Sequence, residues 1–362
     1  MFRDRARWVD LMSVTATPEA TPVVAVPARP HDPDDIVEVD NLQVYFPIRA
    51  GIFKSVKGSV KAVDGVTVDV RRGETLGLVG ESGCGKSMTL RAILGILPGR
   101  ATIAGGEVVF DGEALSARSL GTLRGDHIGM VFQEPMTALN PVMRVGEQIA
   151  EGPRVRLGRS GREARERALE LLRLVGIPDP ERRYRAYPHE LSGGLRQRIV
   201  IAIALACEPK LLLCDEPTTA LDVTIQDQIL HLLARLRAET GVSQVLVTHD
   251  LAVVAQTCER VAVMYAARIV ETGTVAEVFG EPRHPYTRAL LRSVPDFDER
   301  RAHLESIAGM PPDLVAPPTG CRFHPRCEIA HPDCADIDPP LISLGTERST
   351  ACRYHGELEQ RA

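Results

Sequence analysis

What the chain lacks narrows its roles at once. No apolar run approaches the ~20 residues that a membrane-spanning helix needs. The longest, residues 199–207, stops at Glu208 and reads as a buried helix. The chain is therefore expected to sit on a membrane protein rather than cross a bilayer. Residues 1–35 contain no apolar segment of secretory-signal type, which points to a cytoplasmic location. Positive charge is not in excess: the formal net charge is −5, and nucleic-acid binding, which usually needs a basic face, is not expected. There is no long internal repeat, and the eight cysteines include no C-x₂₋₄-C hook of the kind that zinc sites favour.

What is present is a globular composition. With 362 residues, 44% apolar and 25% charged, the chain is long enough for two domains and can bury a sizeable core. Residues 1–35, rich in Pro, Ala, Thr and Val without periodicity, read as a disordered tail, with Met12 as an alternative start. Val66, Val68 and Val70 alternate with polar residues, the pattern of a half-buried strand. Residues 75–79 form an apolar run that reads as a buried strand. A Gly-rich loop follows, then a helix over 86–97 stopped by Pro98-Gly99. Further strands are expected over 105–112, 127–132, 211–214 and 245–247. Residues 134–200 lack β-rich runs, and Ala164, Ala168, Leu171, Leu172 and Val175 recur at helical spacing, so this stretch reads as a helical subdomain. Ile225, Ile229, Leu232, Leu233 and Leu236 line another helix, ended by Gly241. Strands alternating with helices imply an α/β fold with a mostly parallel sheet and ligands at the carboxyl ends of its strands. From about 282 onward Pro and Cys increase, which suggests a separate small C-terminal module.

Gly80-Glu81-Ser82-Gly83-Cys84-Gly85-Lys86-Ser87 has the form G-x-x-x-x-G-K-[ST] in its proper setting, between an apolar strand and a helix. The glycines let backbone N–H groups turn inward around phosphate oxygens. Lys86 can reach the β and γ phosphates, Ser87 offers a hydroxyl to Mg²⁺, and the helix N-terminus adds to the anion site. Downstream, Leu211-Leu212-Leu213-Cys214-Asp215-Glu216 sets two carboxylates at the end of a buried strand. In a phosphate-loop protein Asp215 would hold Mg²⁺ and Glu216 would polarise the attacking water. Leu191-Ser192-Gly193-Gly194-Leu195-Arg196-Gln197-Arg198 supplies a hydroxyl and open backbone N–H groups at a helix start, a second phosphate site. One nucleotide does not need two such cradles from one subunit.

Taken in order, these pieces resemble the ABC transporter ATPases, over roughly residues 36–280. Ser192, Gly193, Gly194 and Gln197 look like the signature motif, which in that family closes on the γ-phosphate held by a second subunit paired head to tail. Gln133, after Val131-Phe132, looks like the glutamine that senses Mg²⁺ and the transmembrane partner. Ala220-Leu221-Asp222 looks like the D-loop that crosses the dimer, and His249 like the switch histidine that contacts the γ-phosphate. Phe46, beside Tyr45, looks like the aromatic that stacks on adenine, with an ordinary core role as the alternative. The resemblance implies a P-loop NTPase of ABC ATPase type. It would have a mostly parallel core, a β subdomain and a helical subdomain over about 134–200, together spanning 36–281, followed by a C-terminal extension over 282–362.

Three stretches are similar to the dipeptide and oligopeptide importer branch: Phe132-Gln133-Glu134-Pro135-Met136-Thr137-Ala138-Leu139-Asn140-Pro141-Val142, Asp222-Val223-Thr224-Ile225-Gln226, and His284-Pro285-Tyr286-Thr287. That branch implies ATP and Mg²⁺ as ligands and a second ATPase subunit, usually a paralogue. It also implies two transmembrane permease subunits, an external solute-binding protein, and a place on the cytoplasmic face of the cell membrane. Peptides are the expected cargo, with nickel or another small solute as the alternative. A soluble ABC ATPase is disfavoured by the single cassette without a coiled coil or basic linker. An exporter is disfavoured by the C-terminal extension, and a vestigial cassette serving a metal-binding or redox module by the intact Glu216 and His249.

Cys321, Cys327, Cys334 and Cys352 form a four-thiol set with His324, His331 and His355 nearby in sequence. Thiolates suit iron–sulfur clusters or Zn²⁺. In some importer subunits of this kind the four cysteines hold a [4Fe–4S] cluster, which is expected here, with zinc or unligated thiols as alternatives.

Overall fold

A computed structural model describes residues 31–50, 55–116, 121, 123–219, 221–293, 307–345 and 347–361. The tail expected over 1–35 lies outside these residues apart from its last five, as does Ala220. No described helix is long and apolar enough to cross a membrane.

Two sheets carry the molecule. The larger has the order β11-β12-β10-β9-β3-β8-β7-β6. At its centre β3 (Thr75–Val79) runs parallel to β9 (Arg260–Tyr265) and β8 (Ser243–Val247), and β8 to β7 (Leu211–Asp215) and β7 to β6 (Ile128–Val131) are parallel as well. Every residue of β3, β6, β7 and β8 is buried. This is why they read as continuous apolar runs rather than alternating ones. On the other side β10 (Arg268–Thr274) continues the sheet antiparallel. The short strands β11 (Ile342–Ser343) and β12 (Ser349–Thr350) then extend it, β12 pairing Thr350 with Glu271. The chain beyond 282 thus returns to finish the main sheet's edge.

The second sheet is antiparallel, in the order β2-β1-β4-β5, with β1 over Asp35–Ala50, β2 over Ser55–Arg71, β4 over Thr102–Phe110 and β5 over Glu113–Ala114. The Val66/Val68/Val70 alternation lies on β2. One face of this sheet packs Val37, Val44 and Val66 into a core shared with Leu78, Leu90 and Leu213. The β layer is therefore joined to the strands that end at the phosphate loop.

A second core lies under the helical stretch. The helices Val145–Val155, Gly161–Leu174 and Gly193–Ala204 bury Ile149, Ala168, Leu171, Leu172 and Ile201 completely. Each Leu or Ile buried in this way is worth about 1.5–3 kcal/mol. Ser160 starts Gly161–Leu174 with a reciprocal cap: its hydroxyl accepts from the Glu163 N–H, while the Glu163 carboxylate accepts from the Ser160 N–H at 2.8 Å. The helix Val223–Thr240 ends at Gly241, whose φ of 70° suits glycine. The helix after the phosphate loop is shorter than the sequence implies. It spans Lys86–Leu94 and is capped by Gly95 at φ 68°, one turn before Pro98-Gly99.

The helix Pro285–Arg292 begins at His284, whose ring Nδ1 accepts from the Tyr286 N–H at 3.1 Å. His284 is 1% exposed, and burial pushes its pKa from 6.5 down to about 3. The unfolded chain therefore binds more protons in that window. Stability is complete above the unfolded value and falls as pH drops from about 6.5 towards 3. His284→Asn, which keeps a capping acceptor and does not titrate, should lose less stability between about pH 7.5 and about pH 5. The difference should approach ~2 kcal/mol in denaturant melts at the two pH values.

Candidate active site

The carboxyl ends of β3, β7 and β8 open on one cleft of about 530 Å³. Its walls are Ala62, Ser82, Gly83, Gly85, Lys86, Ser87, Met88, Gln133, Glu216 and His249. The phosphate loop thus meets the residue after β7, the histidine two residues after β8 and the glutamine two residues after β6. Sequence order separates these groups by up to 167 positions (249 − 82), and the parallel sheet brings them together because its strands all end on the same side.

Two glycines shape the loop. A side-chain carbon on Gly80, at φ 146°, would stand 2.1 Å from the Met264 carbonyl oxygen, and one on Gly85, at φ 110°, 2.3 Å from that of Ala62. Both positions need glycine on grounds of space and conformation alike. Lys86 is 5% exposed, and its ammonium donates to the carbonyls of Gly80 at 2.7 Å and Glu81 at 3.1 Å. It is folded back over the loop that it serves.

Ser87 Oγ donates to Asp215 Oδ1 at 2.7 Å. Asp215 is 2% exposed, and burial raises its pKa against the opposing pull of the Ser87 hydrogen bond. A buried carboxylate and a hydroxyl side by side, with Gln133 on the same cleft, are oxygen donors that suit a hard divalent cation. Such a cation would relieve the burial of the carboxylate charge.

Glu216 follows with φ 45°, unusual for a residue other than glycine. The strained turn points its carboxylate into the cleft, where Oε2 accepts from Gln133 Nε2 at 3.2 Å and Thr219 Oγ1 at 2.9 Å. His249 Nδ1 lies 3.6 Å from the same oxygen. The backbone N–H of Glu216 donates to the Val247 carbonyl at 3.0 Å, which ties the turn to the end of β8. Non-glycine residues in this conformation persist where the surroundings impose them and concentrate at functional sites. Thr219 was not legible as a support for Glu216; only its place three residues on hints at it.

The other expected positions lie elsewhere. Ser192 caps the helix Gly193–Ala204, its hydroxyl accepting from the Leu195 N–H at 3.4 Å. Gly194 is pressed against the start of the helix Val223–Thr240: a side-chain carbon there would meet Ile225 Cγ2 at 2.6 Å. Ser192 and Gly193 are exposed, whereas Gln197 is turned inward at 1% exposure. Asp222 is exposed and caps the helix Val223–Thr240 through the Ile225 N–H at 3.0 Å. None of these five lines the Lys86 cleft, and neither does Phe46. Phe46 is half-buried on β1 opposite Val60.

The iron–sulfur cluster expected at Cys321, Cys327, Cys334 and Cys352 is not supported. Among the described residues no group of three or more His, Cys, Asp or Glu side chains is arranged to hold a metal ion, which leaves zinc without a ligand set too. The thiols lie on separate short turns and a strand end. They are near enough that Cys321, Cys327 and Cys334 oppose ionisation of Cys352. Burial pushes the thiol of Cys321 up, that of Cys327 to about 11 and that of Cys352 to about 12.

A phosphate loop at the end of a central parallel strand, facing a buried Asp and a following Glu, defines a nucleotide triphosphatase. Residues 63–219 match the family described as ABC transporter, and residues 270–334 that described as oligopeptide/dipeptide transporter, C-terminal region. The chain is 49% identical over 330 residues to a probable peptide ABC transporter ATP-binding protein of Sinorhizobium fredii, covering 90% of this chain and 96% of that one. It is 50% identical over 333 residues to the dipeptide transport ATP-binding protein DppD of Bacillus subtilis, covering 91% and 97%. Among solved structures, the dimeric ATP-binding cassette MJ0796 in a post-hydrolysis state with ADP and Pi aligns at TM-score 0.57 and 31% identity, covering 66% of this chain and 98% of that one. The chain belongs to the ATP-hydrolysing subunits of ABC transporters, in the group that carries the oligopeptide/dipeptide C-terminal region.

Proposed function

We propose that this chain binds and hydrolyses ATP with Mg²⁺ at the Lys86 cleft and so energises import of dipeptides or oligopeptides. The observation that carries the hydrolytic part is the contact of Gln133, Thr219 and His249 with one oxygen of Glu216, opposite the Ser87–Asp215 pair. The loop 80–87 and Lys86 hold the phosphates, and Phe46 serves the adenine. Ser87, Asp215 and Gln133 would hold Mg²⁺, which supplies charge neutralisation at the β and γ phosphates. Glu216 takes the proton of the attacking water, and His249 stays on the γ-phosphate side. The exposed Ser192 and Gly193, with Gly194 and Asp222, meet a second ATPase subunit's nucleotide head to tail; their distance from the cleft of their own chain supports this division. The inward-facing Gln197 supports that surface from behind.

In this reading the chain works on the cytoplasmic face of the membrane, beneath two permease subunits fed by an external solute-binding protein. The peptide assignment is supported by the relatives' names and by the C-terminal region. In a deletion strain, wild-type chain should restore uptake of labelled di- and oligopeptides. Restored uptake of nickel alone would replace peptide by metal as cargo.

A further inference from the structure

The phosphate loop is gripped from a part of the chain that none of the ATP-site motifs covers. Glu81, the second residue of the loop, meets Arg326 in a two-pronged pair, Nη1 2.8 Å from Oε2 and Nη2 3.0 Å from Oε1. The two residues are 245 positions apart in sequence. Arg326 is 5% exposed and Glu81 24%, so water screens the pair much less than it would a surface one.

Arg326 is itself held. Its Nε donates to the Ala308 carbonyl at 2.8 Å, its Nη1 also to the Tyr265 hydroxyl at 3.3 Å, and its guanidinium lies over the rings of Tyr265 and Phe323. The backbone N–H of Glu81 is taken as well, donating to the hydroxyl of the fully buried Tyr286 at 2.9 Å. One turn before Arg326, Arg322 donates to Asp64 on β2 and to the Ala266 carbonyl. The Leu314 carbonyl accepts from the Lys61 N–H at 3.0 Å, beside Ala62 on the cleft wall. The C-terminal region therefore touches both the loop and the strand against which Gly85 is pressed.

Two physical consequences follow for a ligand as negative as a nucleoside triphosphate. An ionised Glu81 next to the phosphate cradle would repel it, and the guanidinium cancels that charge. A loop fixed at Glu81 by both backbone and side chain also loses less freedom when its N–H groups converge on phosphate, so less of the binding energy goes into ordering it. We propose that Arg326 is a positioning residue for the nucleotide: by holding and neutralising Glu81 it couples the docked C-terminal region to the affinity of the phosphate loop. This rests on the reading of residues 80–87 as the cradle for ATP.

The test is titration of the full-length chain with a fluorescent ATP analogue, alongside KM and kcat for ATP. Arg326→Ala should raise Kd by about 5- to 50-fold, with the change falling on KM rather than kcat. Arg326→Lys, which keeps charge but loses the fork, should lie between. Adding Glu81→Gln to Arg326→Ala should bring no further loss and should recover the part of it that comes from the unpaired carboxylate. Unchanged Kd in a folded Arg326→Ala chain would overturn the inference and leave Arg326 a purely structural strut. Should that variant fail to fold, unchanged Kd in both Arg326→Lys and Glu81→Gln would overturn it equally. Lys86→Ala in the same series separates the two levels. If it loses affinity as expected, only the role of Arg326 is at stake; if it binds like wild type, the cradle reading fails and the inference with it.

Discussion

Glu216→Gln should lower ATP hydrolysis by about 10²–10⁴-fold while nucleotide still binds. The amide has nearly the shape of the carboxylate, so the turn at φ 45° and the contact with Thr219 can persist. What it lacks is the basic oxygen. In the native chain Glu216 Oε2 receives hydrogen bonds from Gln133 and Thr219 and faces His249 at 3.6 Å. Gln133 and Thr219 aim that atom by donating to it, and neither an amide nor a hydroxyl can replace it as a proton acceptor. Phosphate release under multiple turnover measures the loss, and titration with a fluorescent analogue measures the retained binding. Undiminished turnover would remove Glu216 from the mechanism.

Lys86→Ala should act one step earlier, weakening nucleotide binding by roughly 10- to 150-fold, the range for a lost hydrogen bond to a charged group. In the structure the ammonium is satisfied by the carbonyls of Gly80 and Glu81. The variant therefore leaves two loop carbonyls without their donor as well as removing a positive charge. Thermal melts distinguish a local loss from general instability: a melting temperature near that of wild type with a raised Kd is the expected pattern.

Much of this site was legible along the chain because its parts are local. A buried strand, a glycine-rich turn, a lysine and a helix follow one another within residues 75–94, and each has a signature of its own. The same holds for the carboxylates after β7 and the histidine after β8, since a fully buried parallel strand reads as an apolar run and its end marks the ligand side. Helix ends were legible where Gly241 supplied the cap, and misplaced where Gly95 stopped the helix before the Pro-Gly pair. The antiparallel strands were harder: β1 and β2 are long, shift register several times and carry many polar residues, so only the valine alternation of β2 stood out.

Contacts between distant segments left no trace. A single Arg at 326 has no pattern that assigns it to Glu81, and the Thr219 contact with Glu216 depends on a backbone turn that composition does not encode. The cysteines show the opposite failure. Their clustering in sequence suggested a metal, yet among the described residues no group of three or more ligands is arranged to hold one. In sequence the His284-Pro285-Tyr286-Thr287 stretch is only a branch marker, whereas in the fold His284 caps a helix and Tyr286 holds the backbone of the phosphate loop.

The most direct test of the account is ATP hydrolysis by the intact transporter, purified through this chain with the permease subunits proposed for it and reconstituted in liposomes with the proposed solute-binding protein. The account predicts hydrolysis that rises when peptide is supplied outside and is abolished, together with peptide entry, by Glu216→Gln in this chain. Peptide entry that continues at the wild-type rate with the Glu216→Gln chain would contradict it.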